Sequence, residues 1–261
     1  MIAPSPVPHG AGVHSLGVVH GTGERVMKKL KGLRVAVLAT SGFEQVELTR
    51  PVKKLQRQGA EVTVVSLLPG HIRGMNHMLP GKKVRVDATL RDVKAADFDA
   101  VLLPGGLINP DTLRQSALAK DFVHDADSLN LPMAIICHAP WLLISAGLTE
   151  GRTLTSWPGI QDDVKNSGAM WRDDEMVRDD NWVSSRGPQD LPAFERAMVE
   201  LFAEKMPEVR ERLRQAQDEH PVAARYHPAT EESGRRWPRL LAGSLATAAI
   251  SFGVRRLAAS R

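Results

Sequence analysis

Three short runs that are apolar on both faces narrow this chain to one class of fold. Arg34 to Thr40, Asp99 to Leu103 and Met133 to Cys137 lack the alternation of a half-exposed strand, and that is how strands read when helices cover both sides of a sheet. After the first run, Val46, Leu48, Val52 and Leu55 are spaced for one helical face, Gly59 closes the segment, and Glu61 to Leu67 is the next strand. A β-α-β unit of this kind builds a parallel sheet with a right-handed crossover. His71 to Lys83 reads as a loop or hairpin leading into a short edge strand at Val84 to Val86, and Thr112 to Leu129 reads as one helical stretch. Beyond Gly147, short strands at Thr153 to Ser156, Met170 to Trp171, Met176 to Val177 and Trp182 to Ser184 surround a helix near Ile160 to Asn166. A last long helix runs from about Leu191 to beyond Phe202. The expectation is an α/β sandwich with a mostly parallel central sheet.

The third run ends in a collision. Ala139-Pro140-Trp141-Leu142-Leu143-Ile144 reads as an apolar helix with proline in its first turn, so Cys137 is left in a very tight strand-to-helix turn. A nucleophile elbow has this layout, with the reactive residue exposed above the sheet and free N–H groups turned toward it. Such groups lower a thiol's pKa and can hold an oxyanion. Function in an open α/β sheet gathers at the carboxyl ends of the strands, where this chain places Ser41-Gly42-Phe43-Glu44 and Pro104-Gly105-Gly106. Adjacent glycines permit close backbone approach, so Gly105 and Gly106 are candidates for an oxyanion or substrate-binding site beside the elbow.

Composition bounds the rest. A chain of 261 residues, 43% hydrophobic, carries one sizeable core. The expected organisation is a disordered leader over residues 1–30, a folded domain over 31–210, and a basic C-terminal extension over 211–261 with a short apolar helix. Met27 is an alternative start. A single cysteine permits no intrachain disulfide, and no spaced Cys/His set suggests a metal, so a reducing cytoplasmic setting is expected. The basic pI arises in the extension, where nine Arg face five acidic residues and account for the net charge of +4. The remainder is formally neutral and holds no nucleic-acid motif. The fifteen uncharged residues from Leu240 to Val254 would reach about 22 Å as a helix, short of a hydrocarbon core of about 30 Å. Peripheral membrane contact through Trp237 and its flanking arginines is the lesser alternative to an oligomer-contacting or flexible helix.

Several of these stretches together resemble the DJ-1/PfpI family, closest to its PfpI branch: Gly42-Phe43-Glu44-Gln45-Val46-Glu47-Leu48, Leu103-Pro104-Gly105-Gly106, Ile136-Cys137-His138-Ala139-Pro140, Thr155-Ser156-Trp157-Pro158-Gly159-Ile160 and Asn181-Trp182-Val183-Ser184-Ser185-Arg186. The resemblance covers about residues 33 to 205. It implies a flavodoxin-like three-layer sandwich, related to class I glutamine amidotransferases, that works as a homodimer or homohexamer without metal or cofactor. It also implies that Cys137 is the nucleophile, that Glu44 is the carboxyl at its sulfur, and that His138 is the adjacent histidine. Asp111, donated by a neighbouring subunit, would be the acidic partner of His138. Gly106 and His138 match the positions whose N–H groups form the oxyanion site. The loop from Gly106 to Asp111 is one residue longer than the family pattern and offers Asp where Glu is common. Ala139 stands where many relatives have Gly.

Plainer readings exist for some of these residues. Glu44 and Asp111 both sit where acidic residues favour the first turn of a helix. Glu47 reads as a surface charge or a local hydrogen-bond partner, His77 and His124 have no motif around them, and Trp157 and Trp182 read chiefly as core or interface anchors. A carboxyl beside a thiolate must keep its proton and donate it as a hydrogen bond, since two like charges repel. The function the resemblance implies is a cysteine-dependent stress-response enzyme acting on reactive carbonyls, glyoxalase III-like or deglycase-like. A PfpI-type cysteine peptidase using Cys137, His138 and Asp111 is the alternative, and a redox sensor or holdase built on oxidation of Cys137 is a third. A glutaminase is disfavoured, because the later histidines His220 and His227 lack a Glu two positions on.

Overall fold

The computed structural model describes residues 28–219. Most of the expected leader, and all of the extension beyond residue 219 with its apolar helix and Trp237, lie outside the described residues. Leu30 is fully buried in the core. The first half contains β1 (Arg34–Leu38), β2 (Phe43–Glu44), α1 (Gln45–Arg57), β3 (Glu61–Ser66), β4 (His71–Asn76), β5 (Leu79–Arg85), β6 (Ala88–Thr89), β7 (Ala100–Leu103), α2 (Ile108–Leu113) and α3 (Ala117–Ser128). The second half contains β8 (Met133–Ile136), α4 (Pro140–Ser145), β9 (Thr153–Leu154), α5 (Gln161–Asn166), β10 (Met170–Trp171), β11 (Met176–Asp179), β12 (Trp182–Ser185) and α6 (Leu191–Glu219).

Seven strands form the central sheet in the order β11-β12-β8-β7-β1-β3-β6. Every pairing is parallel except that of the edge strand β11 with β12. Side chains alternate between two cores, as the period-2 geometry of a strand requires. Val35 and Val37 of β1 pack with Leu48 and Leu55 of α1 and with Phe194 and Phe202 of α6. Ala36 and Leu38 pack on the other side with Phe122 and Val123 of α3 and Leu142 and Leu143 of α4. The result is the three-layer, flavodoxin-like sandwich. Burying one Val or Leu contributes about 1.5–3 kcal/mol, against strand-propensity differences of about 1 kcal/mol, so burial rather than local preference fixes these strands.

Two expectations need correction. The stretch from Thr112 to Leu129 is two helices, because Ser116 caps α3 by accepting the Ala119 N–H on its Oγ. The hairpin is longer than expected: β4 and β5 pair antiparallel and join β2 in a separate three-stranded sheet. The edge strand expected at Val84 to Val86 is therefore the end of β5 as far as Arg85, with Val86 beyond it. Its tip, His77 and Met78, reaches the carboxyl ends of the main sheet and helps to line a pocket there. Among the described residues no helix is long and apolar enough to cross a membrane.

Candidate active site

Cys137 follows β8 with φ +63°, a left-handed conformation rare for a residue with a Cβ. It costs about 1–2 kcal/mol and is held by its surroundings. The Cys137 N–H donates to Ser185 O at 3.0 Å, its carbonyl accepts the Trp157 N–H at 2.9 Å, and the Ala139 N–H closes the turn on Ile136 O at 3.1 Å. Pro140 then opens α4 in the first turn, where a missing N–H is harmless. The elbow read from the sequence is thus formed.

The Pro104-Gly105-Gly106 loop lies against this turn. A Cβ at Gly105 would stand 2.6 Å from Cys137 Cβ and 2.7 Å from both Glu47 Oε2 and Ile136 O, so only glycine fits. The Gly105 N–H donates to Glu47 Oε2 at 2.9 Å, and its carbonyl accepts the Glu44 N–H at 3.3 Å. Of the two glycines proposed for an oxyanion site, Gly105 therefore has its amide committed to Glu47. The N–H groups of Gly106 and His138 are the ones that point at the sulfur. Asn109 fastens the loop from behind, its Oδ1 accepting the Thr40 N–H at 2.7 Å and its Nδ2 donating to Pro104 O at 2.8 Å.

The carboxyl against the sulfur belongs to Glu47, not Glu44. Glu44 is the last residue of β2 and the N-cap of α1, with extended backbone and no side-chain cap bond. Its side chain turns to the hairpin, where Oε2 accepts the His77 N–H at 2.9 Å. Glu47, one turn into α1, faces the sheet and is fully buried. It is hydrogen-bonded with the Cys137 thiol, although Oε1 has no aligned partner of its own. Burial first, and then the nearby Glu44 charge, push Glu47 up to about 8, against the hydrogen bonds from Cys137 and Gly105. Burial also raises the Cys137 thiol, as does the charge Glu47 would carry if ionised, while the Gly106 and His138 amides oppose the rise. A buried pair this close does not ionise twice. Burial therefore keeps both protons in place near neutral pH, and a thiolate formed during reaction would be met by the Gly106 and His138 amides and by the protonated Glu47.

His138 Nδ1 lies 3.1 Å from Cys137 Sγ. The ring stacks on Trp157 at 5.9 Å and meets Trp141 edge-on at 5.2 Å. Burial draws its pKa down to about 4, so the imidazole is neutral at pH 7. No carboxylate of the described residues bonds it. Asp111 stands in the first turn of α2 with its side chain 46% exposed, and pairs within its own chain with Arg114 at 2.7 Å. That guanidinium in turn lies 4.8 Å over the Trp141 ring. Among the described residues, Asp111 is joined to His138 through Arg114 and Trp141. Among the described residues no group of His, Cys, Asp and Glu could hold a metal.

A family model described as DJ-1/PfpI matches residues 33–201, well over half of the chain. The chain belongs to the DJ-1/PfpI family. It is 44% identical over 170 residues to a protein of Pyrococcus abyssi named deglycase PYRAB04690, covering 65% of this chain and 99% of that protein. It is 39% identical over 169 residues to the putative cysteine protease YraA of Bacillus subtilis, covering 65% of this chain and 98% of that one. The crystal structure of Drosophila melanogaster DJ-1beta superposes with a TM-score of 0.61 at 29% identity, covering 73% of this chain and 98% of that one.

A cavity of about 550 Å³ opens above the DJ-1/PfpI elbow, walled by Glu44, His77, Met78, Leu107, Trp157 and Gln189. Trp182 is a buried core residue bonded to Asp127, as a core anchor should be, whereas Trp157 is 41% exposed and lines the pocket. Sequence reasoning missed Glu47, Asn109 and the hairpin tip. Glu47 had a signal: it precedes Pro51 by four residues and Leu55 by eight, and Glu47, Leu48, Pro51 and Leu55 are the buried face of α1. Asn109 and His77 had none, because their partners are 69 and 33 residues away.

Proposed function

We propose that the protein is a stress-response enzyme that uses Cys137 as a nucleophile on reactive carbonyls, deglycase-like or glyoxalase III-like, within the cytoplasm. The observation that carries this reading is the sulfur held at 3.1 Å from a neutral imidazole, against a buried carboxyl that keeps its proton and under two backbone N–H groups. With a dicarbonyl, Sγ forms a bond to the aldehyde carbon and the carbonyl oxygen takes the negative charge, toward the Gly106 and His138 amides. His138 receives the proton from the former aldehyde carbon and returns one to the neighbouring carbon, so the adduct becomes a thioester. Water then cleaves the C–S bond, releasing a 2-hydroxy acid and the thiol. For methylglyoxal the product is lactate, with one water consumed and no external oxidant. Hydrolysis of an adduct on a protein amine would use the same thioester and release the amine.

Peptidase chemistry is the second reading, supported by the naming of the Bacillus relative. Here His138 would protonate a leaving amine as an imidazolium, a charge that burial opposes in this route as it does in the carbonyl route. A carboxylate from a second copy in a homodimer or homohexamer would offset the burial, and Asp111 is the candidate. One comparison tests the two readings. Wild-type protein and Cys137→Ala are assayed on methylglyoxal with lactate as the readout, and on peptide amides. Lactate formation that is lost with Cys137 supports the carbonyl reading; its absence, or its survival in the variant, refutes it. Amide hydrolysis lost in the variant would move the assignment to the peptidase.

A further inference from the structure

A second cavity, of about 330 Å³, opens between α1, β3 and β5 and shares no lining residue with the one above Cys137. Its floor is apolar. Leu48 and Val64 are almost fully buried there, while Val52, Val62 and Val84 pack on the same core and stay partly exposed. Two cations stand at the rim from different elements, Lys53 of α1 and Arg85 of β5. Both are exposed, and neither side chain has a hydrogen bond or ion pair among the described residues. On the same hairpin Arg73 lies directly across from Lys83, two positions from Arg85, and residues 67–86 contain no Asp or Glu. Like charges opposed across two strands destabilise the pair, so this edge lacks a negative charge. The lining holds one carboxylate, Asp87, whose Oδ2 accepts the Val64 N–H at 2.9 Å. Two cations against one carboxylate leave a surplus of one positive charge.

We propose that this cavity binds a small amphipathic monocarboxylate, a medium-chain fatty acid by chemistry, with its chain on the valine floor and its head between Lys53 and Arg85. A guanidinium fork matches the two oxygens of a carboxylate, and an ammonium adds a point charge beside it. The single surplus charge fits a monoanion better than a dianion. The volume lies at the small end of the ~300–1,000 Å³ range of ligand sites, which suits a short chain. The ligand bridges two elements of the catalytic site. Leu48 on the floor is the neighbour of Glu47 in α1, and β5 belongs to the hairpin whose tip, His77 and Met78, lines the cavity over Cys137.

Octanoate and its neutral counterpart octanamide are titrated calorimetrically, at low salt, into the full-length wild type and into the double variant Lys53→Gln, Arg85→Gln. The wild type is expected to prefer octanoate about tenfold, as a charge-assisted contact requires, and to lose most of that preference as salt is raised. The double variant is expected to bind both compounds alike. Hexanoate should bind the wild type at least about threefold more weakly, because two buried methylenes are lost. Methyl NMR of the wild type locates the ligand without any variant: the Val52, Val62 and Val84 methyls should shift on adding octanoate, and that of Met78 should not. No measurable binding of octanoate, a preference that survives in a double variant of unchanged melting temperature, or shifts centred on Met78 overturns the assignment. If the double variant melts lower, the methyl shifts of the wild type decide.

Discussion

The Glu47 carboxyl is wedged between two groups of the site, accepting the Gly105 N–H at 2.9 Å while it lies in hydrogen-bonding contact with the Cys137 thiol. It ties the glycine loop after β7 to the elbow after β8 and sets how charge is shared at the sulfur. Its burial keeps its own proton in place up to about pH 8.

Glu47→Gln preserves both hydrogen bonds in neutral form, whereas Glu47→Leu removes them. Alkylation of Cys137 by iodoacetamide at pH 7 is expected to stay within about threefold of wild type in the glutamine variant. In the leucine variant it should slow by at least about tenfold, since a hydrogen bond to a charged group contributes about 1.5–3 kcal/mol. Equal rates in both variants would mean that Glu47 does not stabilise the thiolate.

Stability should depend on pH through the same residue. Glu47 is raised to about 8 from 4.5, so its contribution is fully present below about pH 4.5 and is lost as pH rises through about 8. Thermal melts from pH 5 to 9 should show wild type losing at least about 2 kcal/mol, at 1.36 kcal/mol per pKa unit, with a visibly flatter curve for Glu47→Gln. A parallel fall in both proteins would place the loss elsewhere.

His138 has the opposite sign. Its folded pKa lies at about 4, below the ordinary 6.5, so the stability it contributes is present above pH 6.5 and is lost as pH falls through about 4. An NMR titration of the imidazole should give a midpoint below about 5 in a monomer. In an assembly where Asp111 of a second copy reaches the ring, the midpoint should rise by about one unit or more and fall back in Asp111→Asn. An unchanged midpoint in the assembled protein would remove Asp111 from the site.

Gly105→Ala places a methyl group within 2.7 Å of three fixed atoms of the site. Overpacking of this kind costs about 1–3 kcal/mol, and here the strain falls on the elbow itself. The melting temperature should drop by several degrees and Cys137-dependent turnover should fall by at least about a hundredfold. Near-normal turnover would show that the loop can retreat.

Asn109→Ala leaves the Thr40 N–H and the Pro104 carbonyl without the partner each has now. Each buried polar group left unpaired costs about 1–3 kcal/mol. A loss of about 2–5 kcal/mol in denaturant melts is expected, and Asn109→Asp should rescue only the Thr40 side, because a carboxylate cannot donate to Pro104. Full rescue by Asp would contradict this account.

Much of the architecture was written in local pattern. The two-sided runs at β1, β7 and β8 announced buried parallel strands because covering both faces of a sheet requires apolar residues at every position, and the clash of that run with Pro140 announced the turn at Cys137. Gly105 and Gly106 were candidates because adjacent glycines permit a close approach, whereas the role of His138 came from the resemblance to the DJ-1/PfpI family. What the sequence did not disclose depends on contacts between distant segments. The choice of Glu47 over Glu44 at the sulfur rests on where α1 begins: Glu44 is still extended at the end of β2, whereas Glu47 shares the buried face of α1 with Leu48, Pro51 and Leu55. The His77 contact exists only because the β4–β5 hairpin folds over the carboxyl ends of the strands. A motif fixes which residue types arrive at a site, but the switch from extended backbone at Glu44 to helix at Glu47 turns the two carboxyls to different neighbours, and packing of distant segments decides which of them meets the thiol.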